Sequence, residues 1–274
     1  MFSTGHLIWI GISFALIILM VMIIRRIPHM NAEKLVWICL PFGIISEIIK
    51  IASVSKIVPM MDLAVTMQNG KPEIAYVPTG QYTPMFGAEE LPFELCSIQL
   101  LFMILIIFIK DEKIRHKVYA LMYPTGLIGG TVGILLSSIT AYYPTTASYF
   151  TSVRVYQFFI YHAMLVALCI CIGRDKKVNL TWKDYKTAVL GVLLLDIPTF
   201  YLNSVFSSKI YVNDELIGVT HRINFFSSYV NPLGIVLTEK WQWGVYLCIR
   251  FAIALSTMAL VFLPFRKRKE IPIA

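Results

Sequence analysis

The chain has 274 residues, of which 57% are apolar and 15% are charged. Soluble domains carry about 25% charged residues, and the apolar residues here fall into runs of about 18 or more, so a soluble globular fold is excluded. The net charge of +8 does not indicate nucleic-acid binding, because Lys and Arg cluster at the ends of the apolar runs, where they orient a membrane protein.

The apolar runs predict an all-α bundle of about seven transmembrane helices that forms a single domain over residues 1–274. We place the spans at residues 7–24, 35–55, 91–109, 118–139, 153–172, 185–206 and 241–263. The first run follows no Lys or Arg and precedes Arg25 and Arg26, so we interpret it as a retained transmembrane helix and not as a signal peptide.

The distribution of basic residues predicts the orientation. Sixteen of the 24 Lys and Arg residues fall on one side of the predicted spans and five on the other. Because positive residues mark the cytoplasmic side, we expect an external N-terminus and a cytoplasmic C-terminus in the cell membrane. Two long outer loops, 56–90 and 207–240, are then predicted, and loops of this length are often functional.

Four glycines of the fourth predicted span form two overlapping G-x-x-x-G spacings, which let a second helix approach closely. They are Gly126 with Gly130, and Gly129 with Gly133. The spacings favour tight packing inside the bundle, and a homodimer through either pair is the alternative.

Ionisable and polar side chains within the spans lie at a shared depth. Counted inward from the outer ends, Glu47, Cys96, His162, Asp196 and Arg250 fall about 8–15 Å below the outer surface. Because buried ionisable groups are costly in a membrane, we expect them to line one polar pocket that opens towards the outer leaflet.

Helical spacing adds further side chains to this layer. On the fifth span one arc contains Arg154, Gln157, Tyr161 and His162. On the sixth span Asp196 and Asn203 share a face, and on the third span Cys96 and Gln99 do. We therefore expect substrate-binding or supporting roles for Glu94, Gln99, Arg154, Gln157, Tyr161, Asp196, Asn203 and Arg250.

Several of these charges also have simpler interpretations. Glu47 and Lys50, three residues apart, can neutralise each other. Glu94 follows Pro92 and can lie in the first turn of its helix, where a carboxylate is favoured. Arg154 can extend to the outer interface, and Arg250 is expected to pair with Asp196 or Glu47.

Cys96 and His162 share a depth, which indicates nucleophilic chemistry. A thiol attacks as the thiolate, and a nearby imidazole can accept its proton, so the pair suits acyl transfer through a thioester. The alternative is that both residues only pack and hydrogen-bond. We expect no metal, because Cys169 and Cys171 have no further Cys or His nearby.

Two motifs resemble those of the YwaF-like bacterial integral membrane proteins. Leu91-Pro-Phe-Glu-Leu-Cys96-Ser-Ile-Gln99 resembles the L-P-x-H-L-C segment of that family, and Tyr156-Gln-Phe-Phe-Ile-Tyr-His162 resembles its Q-F-F-x-x-H segment. Tyr201-Leu-Asn203, Ile210-Tyr211, Asn231-Pro232-Leu233 and Trp241-Gln-Trp243 look like its C-terminal landmarks. Glu94 departs from the pattern, because the family often has His there.

The resemblance implies an activity, because the family is related to an animal transmembrane glycerophospholipid acyltransferase. It implies Cys96 as nucleophile and His162 as base, with membrane phospholipids as substrates and no dissociable cofactor. We thus expect a membrane-embedded lipid acyltransferase or transacylase at the outer leaflet. The alternatives are a proton-coupled carrier of a small solute or ion, and a seven-span sensor or scaffold without catalysis.

Overall fold

A computed structural model describes residues 3–68, 71–137, 143, 145–212, 215–221, 224–227 and 236–269. Its helices are α1 (Thr4–Arg26), α2 (Ala32–Val54), α3 (Gln99–Phe108), α4 (Glu112–Leu135), α5 (Thr146–Thr151), α6 (Val153–Arg174), α7 (Asp184–Phe206) and α8 (Lys240–Phe262). The strands β1 (Lys56–Gln68) and β2 (Lys71–Met85) pair as one antiparallel hairpin, and β3 (Ser208–Val212) and β4 (Glu215–His221) pair as another.

Within the described residues, six helices are long and apolar enough to cross a membrane: α1, α2, α4, α6, α7 and α8. The prediction of a polytopic helical membrane protein is therefore confirmed. The third predicted span, 91–109, is not one continuous helix, because α3 has ten residues and covers about 15 Å, half of the hydrocarbon thickness. Its crossing of the membrane stays a prediction.

The outer part of the third predicted span is a chain of turns and not a helix. Pro92 lacks an N–H, and after it the Ile98 N–H donates to the Glu94 carbonyl (2.9 Å) in an isolated turn. Glu94 lies five residues before α3, so its interpretation as a first-turn carboxylate is wrong. The apolar composition of residues 91–98 concealed this break, because hydropathy does not distinguish a buried turn from a helix.

The two predicted outer loops contain the hairpins. The longer hairpin pairs Lys56 with Met85 at its base, and its register shifts between Pro59 and Met61. The shorter hairpin follows α7 directly, as the longer one follows α2. The predicted landmark at residues 231–233 lies outside the described residues.

Capping residues explain where several helices begin. The Asn31 side chain accepts from the Lys34 N–H (2.9 Å) at the start of α2. The Asp111 side chain accepts from the Ile114 (3.0 Å) and Lys113 (2.8 Å) N–H groups, which hold the pKa of this carboxyl below its usual value. Asp175, just after α6, accepts from the Ala32 N–H (2.5 Å) and so joins the end of α6 to the start of α2.

Helix α6 forms the centre of the bundle. Of its most apolar 18-residue window 67% is buried, against 17% for α7 and 11% for α8. One core cluster packs α6 against α2, α3 and α4, and a second packs its first half against α1 and α5. Residues on α6 are therefore held rigidly, whereas α7 and α8 expose most of their surface to lipid.

The predicted orientation can be tested with two single cysteine substitutions. We expect a membrane-impermeant maleimide to label Gln81→Cys, on the β1–β2 hairpin, in intact cells. Lys176→Cys, between α6 and α7, should be labelled only after permeabilisation, because its loop is predicted to be cytoplasmic. Labelling is measured above that of the native protein, and the reverse pattern would show that the orientation is wrong.

Candidate functional site

A cavity of about 630 Å³ lies at the end of the bundle that carries both hairpins. It is bounded by the last turns of α2 and α4, the first turns of α6, the middle of α7 and α8, and residues 89–97. Eight of the ten predicted site residues line it: Glu94, Cys96, Arg154, Gln157, Tyr161, His162, Asp196 and Arg250. These eight residues thus line one cavity, while their roles and its opening towards the outer leaflet stay predictions.

Cys96 lies in the turn that precedes α3 and is partly exposed to the cavity. Its carbonyl accepts a hydrogen bond from the Tyr161 hydroxyl (3.0 Å), which comes from the buried helix α6. Tyr161, which directly precedes His162 in the sequence, therefore holds the main chain of the turn that contains Cys96.

His162 is buried, with 4% of its surface exposed, and its ring lies against Phe158 with the ring centroids 4.1 Å apart. Its Nδ1 atom is 2.7 Å from the Phe158 carbonyl oxygen. A carbonyl only accepts, so Nδ1 carries the proton in the neutral ring and Nε2 has the free lone pair. The local fold of α6 therefore provides a proton acceptor at Nε2.

The thiol and the imidazole share the cavity without a direct hydrogen bond between them. A Cβ atom built on Gly129 would lie 3.5 Å from the Cys96 nitrogen, and one built on Gly133 would lie 2.6 Å from His162 Nε2. Cβ positions one turn apart are about 6 Å from each other, so the Cys96 nitrogen and Nε2 are within about 12 Å. Since the described residues show no direct hydrogen bond between the two side chains, proton transfer in this arrangement would pass through a bridging water or substrate hydroxyl. The Cys–His pairing stays a prediction.

The glycines of α4 serve two different neighbours. A Cβ on Gly126 would lie 2.5 Å from Cys169 Sγ, and one on Gly130 would lie 2.7 Å from Val166 Cγ2, so this pair permits close packing on α6. Gly129 and Gly133 instead line the cavity beside Cys96 and His162. Both spacings are used within the chain, and a homodimer through these glycines stays a prediction.

Each of the described basic residues that line the cavity, other than His162, contacts a carboxylate. Lys50 Nζ is 2.5 Å from Glu47 Oε1 on the same helix. Arg154 donates to Glu90 Oε2 (3.1 Å), and Arg250 donates to Asp196 Oδ2 (2.6 Å). Pairing lowers the cost of these charges at membrane depth. Of the two expected partners of Arg250, Asp196 is the one that it contacts. Arg154 binds Glu90, which lies in the first predicted outer loop.

Gln99 and Asn203 do not line the cavity, although helical spacing had grouped them with it. The Gln99 amide N–H groups donate to the Leu95 carbonyl (2.8 Å) and the Thr125 hydroxyl (3.0 Å). Asn203 is fully buried, accepts from the Phe225 N–H (2.8 Å) and donates to the Phe225 carbonyl (3.1 Å). Both amides hold the main chain around the cavity.

The segment 224–227 closes one side of the cavity. Phe226 has a left-handed backbone (φ 56°, ψ 21°), which costs about 1–3 kcal/mol in a residue with a side chain. Its carbonyl accepts from Arg250 (2.6 Å), while Phe225 packs edge-to-face on Phe93 with the ring centroids 5.4 Å apart. The adjacent Phe225 and Phe226 in the second predicted outer loop are a signal in the sequence that could have indicated this closure, whereas the contacts with Arg250 and Asn203 had none.

Within the described ranges, no group of three or more His, Cys, Asp or Glu side chains is placed to hold a metal ion.

We expect the Asp196–Arg250 ion pair to be the main contact that stabilises the packing of α7 on α8. Removing one partner, as in Asp196→Asn, leaves a largely buried guanidinium uncompensated, and the expected loss is about 3–5 kcal/mol in the free energy of unfolding. Thermal unfolding in detergent micelles measures it. The double variant Asp196→Leu/Arg250→Met should recover most of the loss, and an Asp196→Asn protein as stable as wild type would show that the pair contributes little.

Comparison with known proteins identifies a family. The family model of the TMEM164 family matches residues 1–262, nearly the whole chain. No curated protein and no solved structure matches the chain. The match supports the expected link to an animal transmembrane family, and the more specific resemblance to the bacterial YwaF-like proteins stays a prediction.

Proposed function

This chain belongs to the TMEM164 family, and from that premise we propose that it is a lipid acyltransferase embedded in the cytoplasmic membrane. It would move an acyl chain from one phospholipid to another in the outer leaflet. The observation that carries the proposal is that a thiol, Cys96, and an imidazole with a free Nε2, His162, line one cavity. Apolar side chains on the same walls, among them Leu95, Ile128 and Val132, suit an acyl chain.

The first half-reaction forms a thioester. His162 Nε2 accepts the Cys96 proton through a bridging water or hydroxyl, and the sulfur attacks the carbonyl carbon of the donor ester. The carbon–oxygen bond of the ester breaks, and the departing glycerol oxygen takes the proton from His162. The products are an acyl thioester on Cys96 and a lysophospholipid.

The second half-reaction returns the enzyme to its starting state. The hydroxyl of an acceptor lysophospholipid gives its proton to His162, and its oxygen attacks the thioester carbonyl carbon. The carbon–sulfur bond breaks, and the thiolate recovers the proton from His162. One ester is exchanged for another, so the balance requires no cofactor and no acyl donor other than the first phospholipid.

Charge balance in the cavity bears on the head group. The described lining contains five carboxylates against three basic side chains: Glu47, Glu89, Glu90, Glu94 and Asp196 against Lys50, Arg154 and Arg250. An arginine clamp on phosphate would have to break an existing ion pair. The excess of negative charge favours a head group that carries an ammonium over one with net negative charge.

Head-group preference can be measured by competition. In vesicles with equal amounts of a zwitterionic and an anionic donor phospholipid, we expect roughly tenfold faster acyl transfer from the zwitterionic donor, equivalent to about 1.4 kcal/mol. Glu94→Gln removes one lining carboxylate and should lower the ratio of the transfer rate from the zwitterionic donor to that from the anionic donor. A preference for the anionic donor would contradict the charge-balance argument and leave the acyltransferase proposal intact.

The proposed activity depends on Cys96. In proteoliposomes with a labelled donor phospholipid and an unlabelled lysophospholipid, Cys96→Ala should abolish acyl transfer, because no thioester forms. His162→Gln should lower the rate by about 10²–10⁴-fold, the usual contribution of a general base. Transfer is measured as label in the newly formed phospholipid.

The matched control is Cys248→Ala, which removes the exposed thiol of α8 and should leave the rate unchanged. Mass spectrometry of trapped protein should find the acyl group on Cys96 in the wild type. Undiminished transfer by Cys96→Ala would overturn the mechanism with Cys96 as nucleophile, whereas a wild-type protein that transfers no acyl chain would favour the carrier hypothesis.

A further inference from the structure

The β1–β2 hairpin has two open faces. β1 has 13 residues, so the ribbon is roughly 40 Å long at about 3.3 Å per residue. The side chains described on it, at residues 56–62 and 76–85, are exposed except for those of Val58 and Thr83, which are half-buried. Among the described elements, no helix covers either face at these residues.

The register decides which side chains share a face. Pro59 pairs with Tyr82 and Met61 pairs with Pro78, so the extra residues of the bulge lie on β2 and β1 runs through without an insertion. Side chains alternate along β1, and directly paired residues lie on the same face. The two faces therefore stay in phase on both sides of the bulge.

The bulge is itself a fixed structure. The Thr79 hydroxyl donates to the Met60 carbonyl (3.2 Å) and accepts from the Gln81 N–H (3.2 Å). Between them Gly80 has a φ of 82°, which favours glycine. The hairpin thus keeps one register near its base.

One face of the hairpin is apolar over its described length. It comprises Ile57, Pro59, Met61, Tyr76, Pro78, Tyr82 and Pro84. Ile57, Tyr76 and Tyr82 expose 77%, 71% and 68% of their surface. The opposite face holds the two described charges, Lys56 and Asp62. A contiguous exposed apolar surface marks a contact with a membrane or with another protein.

The base of the hairpin is tied to the spanning helices on both strands. Ser55 alone separates α2 from β1, and its N–H donates to the Ile51 carbonyl (2.9 Å). On the return side, Glu90 follows β2 by five residues and is paired with Arg154 on α6 (3.1 Å). The 23 residues of α2 cover about 35 Å, little more than the hydrocarbon thickness, so β1 begins at the level of the lipid headgroups.

We propose that the β1–β2 hairpin lies along the membrane surface at the cavity end of the bundle, with its apolar face in the boundary between lipid headgroups and acyl chains. Tyr76 and Tyr82 suit this level, because their rings are apolar and their hydroxyls reach water. Lys56 and Asp62 then face the solvent. The partner is the lipid leaflet itself, and this contact holds whether or not Cys96 is a nucleophile.

The position of the apolar face favours lipid over a second copy of the chain. Its first pair, Ile57 and Pro84, lies within about 10 Å of the end of α2 along the strand, and is therefore beside the bilayer however the ribbon is tilted. A protein partner in water could cover only the distal part of the face. The leaflet can cover all of it, as it covers the apolar face of an interfacial amphipathic segment.

Met61 and Asp62 provide a matched test, because they are adjacent, exposed and on opposite faces. Each is replaced by Cys in the full chain with Cys248→Ala and labelled with an environment-sensitive fluorophore in lipid nanodiscs. We expect the label at Met61→Cys to lose most of its emission when the phospholipids are brominated near their ester carbonyls, because the face is buried about 5–10 Å into the headgroup boundary. Bromine near the chain ends should quench it less, and aqueous iodide should quench only the label at Asp62→Cys.

Tyr82→Cys and Thr83→Cys repeat the comparison on β2, so the test does not depend on one substitution. The Cys248→Ala protein gives the background from the remaining thiols. If iodide quenches the labels at 61 and 82 as strongly as those at 62 and 83, the hairpin stands in water and the proposal is wrong. If the labels at 61 and 82 are shielded from both quenchers, protein covers the face, and energy transfer between two labelled pools would identify a second copy as that cover. Equal quenching of all four labels by brominated lipid would contradict the assignment of one face to the leaflet.

Discussion

The main chain of residues 91–98 sets the constraint from which the rest of the site follows. A backbone N–H or C=O without a partner is very costly in hydrocarbon, so a non-helical stretch at membrane depth is stable only inside protein or beside a polar cavity. Here α3 begins at Gln99, and the turns before it line the cavity of about 630 Å³. The break in the helix thus places Cys96 on the wall of the cavity.

The charged side chains around the cavity are under a similar constraint, because an unpaired charge is costly inside a membrane, and ion pairs satisfy it. The pairs Lys50–Glu47, Arg154–Glu90 and Arg250–Asp196 place opposite charges around the cavity wall. Two of them join separate parts of the chain, because Arg154 connects α6 to the segment after β2 and Arg250 connects α8 to α7. They stabilise the wall as well as the charges, which explains why the arginines are poor candidates for holding a phosphate group.

The sequence was sufficient for the positions of the six long helices, because runs of apolar residues bounded by basic residues leave few alternatives in a membrane. It also predicted that Arg250 would pair with Asp196 or Glu47, since depth along the helices limits the partners, and the structure shows the pair with Asp196. It could not predict the break before Gln99, because residues 91–98 are as apolar as a helix. The Glu90 contact and the carbonyl contact of Phe226 were also beyond prediction, since both come from loops whose return path depends on tertiary structure.

The helices around the cavity are unequally buried. The wall formed by α6 is held by many contacts, and the wall formed by α7 and α8, the thin side, is held by few. His162 and Tyr161 lie on α6, the most buried helix, so the proposed base and the residue that holds the Cys96 segment share one rigid element. On the other side, α7 and α8 are the least buried of the spanning helices, and the contacts of Arg250 with Asp196 and Phe226 hold them together at the cavity. The phospholipid substrate of the proposed function has two long acyl chains, which a cavity of about 630 Å³ cannot enclose, so under that proposal the chains would extend into the bilayer. The thin side, where few buried contacts oppose separation, is where the physical cost of admitting them is lowest.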